Sequence, residues 1–312
     1  MRVVCTSSLP IDLGAEVLTR FPDARVDVPD RWIGIERCDL HDADALVCLL
    51  MDRIDAAVLA RAPRLRVVAN CAVGFDNIDV PALTAAGVAI TNTPDVLTEA
   101  TAELAFALMM AAARRLPEGE ALVRSGRWEG WRLDQLLGVQ LLGKTLGIVG
   151  MGRIGQAMAR RAQGFGMTVI GARSSDGPAA IDELFARADV VSLHCPLTPE
   201  TRHLVNRERL ARMKPSAILV NTARGGCVDE GALVEALTAG RIFAAALDVY
   251  EREPEIDARL RACPRLVLAP HIGSATTEAR TQMAQLCADG VLAVLSGQRP
   301  GNLVNPQVVI RG

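Results

Sequence analysis

A glycine-rich turn is the first feature of this 312-residue sequence with an identifiable chemistry. Gly150, Gly152 and Gly155 form a GxGxxG pattern that follows an apolar strand candidate at 145–149 and opens a helical pattern at 156–162. In that context the first glycine permits a tight turn, the second lets a pyrophosphate approach the backbone, and the third lets the helix pack on the strand. The helix N-terminus attracts the anion. The turn therefore predicts a dinucleotide-binding site.

The residues after the next strand candidate, 168–172, indicate which nicotinamide cofactor is preferred. A carboxylate at this point holds the ribose 2′-hydroxyl of NAD, whereas an arginine suits the 2′-phosphate of NADP. Arg173 and Ser174 follow the strand here and offer a cation and a hydroxyl to a phosphate. Asp176 is the alternative, since it lies about 20 residues beyond the last glycine, but it requires a longer strand than the apolar pattern supports. We predict NADP as the preferred cofactor and NAD as the second candidate.

Three further segments place polar residues directly after strand candidates. They contain Arg224, the pair Asp248 and Glu253, and His271. Because the carboxyl ends of parallel strands line the ligand crevice of an open α/β sheet, we expect these side chains to converge. A guanidinium forms two directed hydrogen bonds with a carboxylate, and an imidazole, which titrates at about pH 6.5, exchanges a proton near neutral pH. The chain has only four histidines, so there are few candidates for such a proton donor.

A sheet must position these residues. From residue 145 onward the sequence alternates β-rich runs with amphipathic stretches, which indicates a parallel sheet with helices on both faces. The strand candidates of this part are 145–149, 168–172, 189–193, 217–221, 244–249 and 265–269. The first part of the chain shows the same alternation more loosely, with candidates at 2–5, 24–28, 45–49 and 66–70.

We therefore predict an α/β fold with two Rossmann-like domains. A doubly wound parallel sheet forms the dinucleotide-binding domain at 98–273, and residues 1–97 plus 274–312 form a smaller, flavodoxin-like substrate domain. A helix pattern at 98–115 is apolar on nearly every face, which predicts that it is covered on all sides at an interdomain or dimer position. A final helix pattern runs from about 276 to 295.

Composition excludes several kinds of partner. The chain has 34 basic and 36 acidic residues and no basic run, so we expect no nucleic-acid partner. The longest apolar run, 104–113, is far shorter than the roughly 20 residues of a bilayer-spanning helix, and the first residues do not resemble a signal peptide. We expect a cytoplasmic protein without a membrane partner. Eight cysteines without a CxxC pair predict reduced core thiols and no bound metal, with a disulfide framework or zinc site as the alternative.

The glycine turn and the segments 221–226, 248–254 and 270–273 resemble the D-isomer-specific 2-hydroxyacid dehydrogenase family over essentially the whole chain. Within that family the sequence is most similar to the glyoxylate/hydroxypyruvate reductases. The stretches that carry this similarity are 45–47, 73–79 and 91–103. The resemblance implies a homodimer that reduces a small 2-oxo acid, glyoxylate or hydroxypyruvate, to the D-2-hydroxy acid by hydride transfer from NADPH.

The resemblance also assigns catalytic roles, and these roles agree with the chemistry of the side chains. Arg224 would hold the carboxylate and carbonyl oxygen of the substrate, His271 would give a proton to the developing alkoxide, and Glu253 would orient the imidazole. Glu251 is a rival carboxylate, and only the family pattern, with the glutamate directly before a proline, selects Glu253. Asp248 would accept a hydrogen bond from the cofactor carboxamide, with loop capping as its alternative role.

Further contacts follow from the resemblance alone. The implied cofactor-binding residues, besides the three glycines, Arg173, Ser174 and Asp248, are Thr101, Arg153, Ile154, Cys195, Pro196, Thr201, Thr222, Ala223 and Gly273. Substrate contacts are implied for Arg224, for the backbone amides of Val73 and Gly74, and for the side chain of Leu50. Two residues depart from the pattern: Met51 replaces a small polar residue of many relatives, and Arg173 replaces the acidic residue of NAD-preferring members.

Two alternatives remain open on the sequence. Another member of the same family, such as a phosphoglycerate, formate or phosphite dehydrogenase, shares the motifs, although no extra regulatory domain of the long phosphoglycerate type is present. A nicotinamide-sensing scaffold is the second, since some transcriptional co-repressors resemble this family; the absence of long disordered tails argues against it. Trp128 and Trp131 lie where relatives approach the active site and the dimer partner, and ordinary interface packing accounts for them equally well.

Overall fold

The computed structural model describes residues 1–310. The chain divides into two compact units, one of residues 98–273 and one of residues 1–97 together with the segment from Ser274 onward. Each unit contains one parallel sheet with helices packed against it, which confirms the predicted α/β fold class. The cofactor and substrate roles assigned to the two predicted domains stay predictions.

The smaller unit contains a five-stranded parallel sheet in the order β2-β1-β3-β4-β5. Its strands are β1 (Arg2–Cys5), β2 (Arg25–Asp27), β3 (Ala45–Cys48), β4 (Val67–Asn70) and β5 (Ala89–Thr91). Its helices are α1 (Leu13–Arg20), α2 (Ala56–Arg61), α3 (Val80–Ala85) and α11 (Thr277–Leu295). This is the flavodoxin-like strand order, as predicted. The strand β5 was not predicted from the sequence.

Local sequence explains where these elements begin. The strands β1, β3 and β4 are buried on both faces, so they consist of continuous runs of mostly apolar residues rather than alternating ones. Asp12, Asp55 and Asp79 each precede a helix and accept a hydrogen bond from a backbone N–H of its first turn. Such caps satisfy donors that have no partner within the helix.

The larger unit contains a six-stranded parallel sheet in the order β11-β10-β9-β8-β6-β7. Its strands are β6 (Thr145–Val149), β7 (Thr168–Ala172), β8 (Val190–Leu193), β9 (Ile218–Asn221), β10 (Ala244–Leu247) and β11 (Leu266–Leu268). Its helices are α4 (Thr98–Ala113), α5 (Leu116–Arg124), α6 (Arg153–Gly164), α7 (Pro178–Arg187), α8 (Arg207–Arg212), α9 (Glu230–Thr238) and α10 (Ala258–Ala262). The chain order reverses between β6 and β8, so the carboxyl ends of these two strands form the switch point where ligands bind in such sheets.

Two apolar layers cover the larger sheet. One contains α4 and α6 with the buried residues Met109, Leu146 and Met158, and the other contains α7 to α9 with Phe185. Within this chain the side of α4 that carries Glu103 and Ala107 is exposed, so its predicted covering at an interdomain or dimer position stays a prediction.

Two further expectations concern the whole chain. Across residues 1–310, no helix is both long enough and apolar enough to cross a membrane. All eight cysteines are free thiols and six of them are buried, as predicted.

Candidate active site

The glycine turn joins β6 to α6 at the switch point of the larger sheet. Gly150 has a φ of 99°, in the left-handed region, and a Cβ there would lie 2.6 Å from the carbonyl carbon of His194. A Cβ on Gly155 would lie 2.2 Å from the carbonyl oxygen of Gly150, whereas one on Gly152 would meet no described atom within 4 Å. The chain itself thus requires the first and third glycines, while the second borders open space.

This open space lies at the N-terminus of α6, which begins at Arg153. Gly152 is the N-cap residue, and no side chain among the described residues caps this helix. Both Gly152 and Arg153 are exposed, and Ile154 is half-buried against the core beneath. The backbone N–H groups of the first helical turn are therefore available to an anion, which fits the pyrophosphate of a dinucleotide.

The end of β7 lies beside this turn, because β6 and β7 are paired along their length. The strand ends at Ala172, and a 3-10 turn at Ser174–Asp176 follows. Oδ2 of Asp176 accepts a hydrogen bond from the N–H of Arg173 at 2.7 Å, so this carboxylate closes the turn beyond the strand. The side chain of Arg173 is exposed, and that of Ser174 lies outside the described part of the structure.

The segment after β8 offers no proton donor near neutral pH. Burial lowers the pKa of His194 to about 4, and its Nε2 is hydrogen-bonded to Oγ of Ser192 at 2.9 Å, so His194 carries no proton for transfer near neutral pH. A hydrogen bond with Cys227, together with burial, raises the pKa of the Cys195 thiol. Oγ1 of Thr201 donates a hydrogen bond to the carbonyl of Pro196 at 2.6 Å and so closes the loop between them.

Asn221, the last residue of β9, shapes the turn that carries Arg224. Its Nδ2 donates to the carbonyl of Arg224 at 2.9 Å, and its Oδ1 accepts the N–H of Ala223 at 3.0 Å. Oγ1 of Thr222 is buried and has no hydrogen-bond partner among residues 1–310. A buried hydroxyl without a partner indicates that a bound group supplies the missing hydrogen bond, which agrees with the cofactor contact implied for Thr222.

His271 and Glu253 form a hydrogen-bonded pair. Nδ1 of His271 lies 2.6 Å from Oε2 of Glu253, and both side chains are half-buried. The N–H of His271 donates to the carbonyl of Asp248 at 2.8 Å. Since Nδ1–H donates to the carboxylate, Nε2 remains as the ring atom that can give a proton to a substrate.

Asp248 holds the turn that carries His271. Its two carboxylate oxygens accept the N–H groups of Ile272 and Gly273, each at 2.8 Å. Burial raises the pKa of Asp248, although these two donors oppose the rise. A Cβ on Gly273 would touch both Asp248 and Thr101, so three implied cofactor residues lie together here. The carboxylate thus has a structural role in a neighbouring turn, and its contact with a carboxamide stays a prediction.

Glu251, the rival carboxylate, is engaged elsewhere. Its Oε1 accepts hydrogen bonds from His203 Nε2 and from the guanidinium of Arg202, both at 2.9 Å. Its N–H donates to Glu230 at 2.8 Å. The structure therefore places Glu253, and not Glu251, against His271.

The sequence analysis missed two residues that shape this site. Asn221 appeared only as a strand end, although a side-chain amide before a tight turn is a known capping signal. Tyr250 was not considered at all. It is the only tyrosine in the chain and lies between Asp248 and Glu253, which was the available signal.

The implied substrate contacts belong to the smaller unit. Leu50 follows β3, and Val73 and Gly74 follow β4, the neighbouring strand. The carbonyls of Val73 and Gly74 accept side-chain amides of Asn92 and Asn70 at 2.8 Å, and within the described chain their N–H groups donate to no residue. Successive free N–H groups of this kind bind anions.

Comparisons with known proteins give a consistent result. Residues 106–273 match the family model described as D-isomer specific 2-hydroxyacid dehydrogenase, NAD binding domain. The chain is 45% identical to the glyoxylate reductase of Thermococcus litoralis, over 99% of this chain and 98% of that protein. A solved structure of a Thermus thermophilus protein has a TM-score of 0.91 at 46% identity, over 97% of this chain and 100% of its own. The NADPH-dependent glyoxylate/hydroxypyruvate reductase of Sinorhizobium meliloti, solved with NADP and malonate, has a TM-score of 0.86 at 32% identity. This match covers 100% of the present chain and 98% of that one.

Proposed function

The chain belongs to the D-isomer-specific 2-hydroxyacid dehydrogenase family and is of the glyoxylate reductase type, and we propose that it reduces glyoxylate or hydroxypyruvate with NADPH. The observation that carries this proposal is the His271–Glu253 pair at 2.6 Å, on the same sheet edge as the glycine turn. When bound, a reduced nicotinamide supplies the hydride that this reaction needs.

The residues of this chain account for the rest of the reaction. Arg224 holds the carboxylate and carbonyl oxygen of the 2-oxo acid, because a guanidinium stays charged and donates two directed hydrogen bonds. Nε2 of His271 gives its proton to the developing alkoxide, and Glu253 stabilises the charged imidazole before transfer. In the smaller unit, the family resemblance assigns substrate contacts to the N–H groups of Val73 and Gly74 and to the side chain of Leu50.

The preference for NADPH rests on the end of β7. Arg173 is exposed there and no carboxylate lies on the strand itself, while Asp176 is turned back to the N–H of Arg173. A guanidinium pairs well with a phosphate, and a free strand-end carboxylate would repel it. These features support a 2′-phosphate site at Arg173.

A cofactor and substrate matrix tests the proposal. Purified protein is assayed for oxidation of NADPH and NADH with glyoxylate, hydroxypyruvate and pyruvate, and kcat/KM is compared. We expect turnover with glyoxylate or hydroxypyruvate and at least tenfold preference for NADPH, which corresponds to about 1.4 kcal/mol. If none of these 2-oxo acids is reduced with either cofactor, the proposed function is wrong. A preference for NADH overturns only the cofactor assignment.

We further propose that the protein is a homodimer that pairs through the segment 116–142. Apolar side chains are concentrated there on the surface: Trp131 is 79% exposed, Leu133 81% and Leu137 64%. Exposed apolar groups of this number mark interaction surfaces. Light scattering after size exclusion should give a dimer for the wild type and a monomer for a Trp131→Glu/Leu133→Glu variant, and a monomeric wild type contradicts the assignment.

A further inference from the structure

Tyr250 touches all three segments that carry the proposed catalytic side chains. Its N–H donates to Oε1 of Glu253 at 2.9 Å, and its phenol donates to the carbonyl of Ala269 at 2.8 Å, two residues before His271. Its own carbonyl lies directly on Gly225, the neighbour of Arg224, because a Cβ on Gly225 would fall 2.0 Å from that oxygen. A single residue thus joins three loops of the larger unit.

The phenol of Tyr250 is suited to a fixed role. The side chain is buried, and burial, with a further contribution from the charge of Asp248, raises the pKa of Tyr250 to about 12. The hydroxyl therefore stays protonated throughout the pH range of an enzyme assay and always acts as a donor. Ala269 is buried, and the hydroxyl of Tyr250 gives its carbonyl the hydrogen bond that water would otherwise have to supply.

The turn at His271 needs such support. His271 has a φ of 54°, in the left-handed region, which is unfavourable for a residue other than glycine. Asp248 fixes the turn downstream through the N–H groups of Ile272 and Gly273. Tyr250 fixes it upstream through Ala269, and through its N–H it also fixes the carboxylate that orients the imidazole.

We propose that Tyr250 is a positioning residue that sets the distance between His271 and Glu253, an inference that rests on the proposed function. The hydroxyl does not take part in proton transfer. It holds the 269–271 backbone so that Nδ1 of His271 stays within hydrogen-bond reach of Glu253.

Tyr250→Phe tests this proposal, because it removes only the hydroxyl and keeps the ring. We expect kcat per cofactor-binding site to fall about tenfold while KM and the Kd of NADPH change less than twofold, since small displacements of reacting groups lower the rate strongly. The loss should grow as the pH rises from about 6 to about 8, because displacement of the 269–271 backbone weakens the hydrogen bond between His271 and Glu253, which then stabilises the protonated imidazole less.

Thr84→Val is the matched control. Thr84 lies in the smaller unit, where its hydroxyl donates a hydrogen bond to the carbonyl of Val80 and accepts one from Nδ2 of Asn305, so we expect this variant to lose stability as well. It should lower Tm without a change in kcat or in the pH profile.

Two outcomes overturn the inference. If the wild type is active and Tyr250→Phe has the same kcat and the same pH profile, Tyr250 does not position the site. If kcat falls equally in Tyr250→Phe and Thr84→Val, Tyr250 contributes to stability alone. A wild type without any 2-oxo acid turnover contradicts the proposed function instead, so the two failures are distinguishable.

Discussion

Oε2 of Glu253 lies 2.6 Å from Nδ1 of His271, although 18 residues separate them in the chain. The two side chains meet because β10 and β11 are adjacent parallel strands whose carboxyl ends lead into both loops. The pairing leaves Nε2 as the ring atom that can donate a proton, which is the arrangement that the proposed reduction of a carbonyl group requires.

His271→Gln is expected to lower kcat by about 10²- to 10⁴-fold, because only the proton donor is lost. The Kd of NADPH, measured by fluorescence titration, should stay within twofold of the wild-type value. His41→Gln is the control, since His41 is an exposed residue of the smaller unit. Unchanged turnover of His271→Gln would remove this residue from its role.

Glu253→Gln and Glu251→Gln test which of the two carboxylates in the loop supports His271. An amide cannot stabilise the charged imidazole and favours the wrong tautomer, so kcat should fall by about 10²-fold or more. Glu251→Gln is the matched control and should change kcat less than about threefold, because Glu251 pairs with Arg202 and His203. Steady-state kinetics on both variants checks the assignment, and a larger loss for Glu251→Gln would reverse it.

Alanine substitutions at two glycines of the turn should have different effects, one on cofactor binding and the other on stability. Gly152→Ala should leave Tm unchanged, because its Cβ would meet no described atom within 4 Å, but should weaken NADPH binding at least tenfold by filling the pyrophosphate space. Gly155→Ala should destabilise the protein by about 1–3 kcal/mol, since its Cβ would lie 2.2 Å from the carbonyl oxygen of Gly150. Thermal unfolding and cofactor titration of each variant measure both effects; NADPH affinity kept by Gly152→Ala would contradict this placement of the pyrophosphate.

Arg173→Ala tests the 2′-phosphate site. We expect kcat/KM for NADPH to fall about tenfold, the loss of one charge-assisted contact, while kcat/KM for NADH changes less than twofold. Arg187→Ala is the control, because Arg187 is an exposed arginine paired with Glu183 on α7. Equal losses with both cofactors would show that Arg173 does not recognise the phosphate.

Asp189 predicts a pH-dependent contribution to stability. Burial would raise the pKa of this carboxyl, but the N–H of Thr145 and the ammonium of Lys214, both 2.9 Å away, outweigh burial and hold the pKa below its ordinary value. The ionised group therefore stabilises the fold fully above the unfolded pKa of about 3.9, and this contribution disappears as the pH falls through the lower folded pKa. Asp189→Asn should cost about 1–3 kcal/mol at pH 7.

Urea denaturation at pH 7 and near pH 3 measures this difference. The difference in the free energy of unfolding between wild type and Asp189→Asn should narrow at the acidic pH, where this carboxyl binds a proton in the unfolded wild-type chain and folding has to release it. Asp134→Asn, at an exposed position, should have the same free energy of unfolding as the wild type at either pH. A gap that is constant with pH would mean that packing and not charge accounts for the effect.

The sequence predicted most strands within one or two residues of their observed ends. The run at 145–149 coincides with β6, because a buried parallel strand requires a continuous apolar stretch. The run at 168–172 coincides with β7, an edge strand of the same sheet. The prediction for α4 is not decided by one chain: its apolar composition indicates a helix covered on all sides at an interdomain or dimer position, and the side with Glu103 and Ala107 is exposed in this chain. Composition records how much apolar surface a helix has but not what covers each side of it.

The sequence by itself determined the elements and the residue types of the site: the GxGxxG turn between strand and helix, and the polar residues Arg224, Glu253 and His271 directly after strands. These follow from local patterns, since helix and strand periodicity and turn chemistry depend on near neighbours in the chain. Only the tertiary structure shows that Glu253, which the family pattern selects over Glu251, lies against His271, and that Tyr250 joins three loops. Those choices depend on distances between segments far apart in sequence, which are set by strand order and by the packing of loops at the sheet edge.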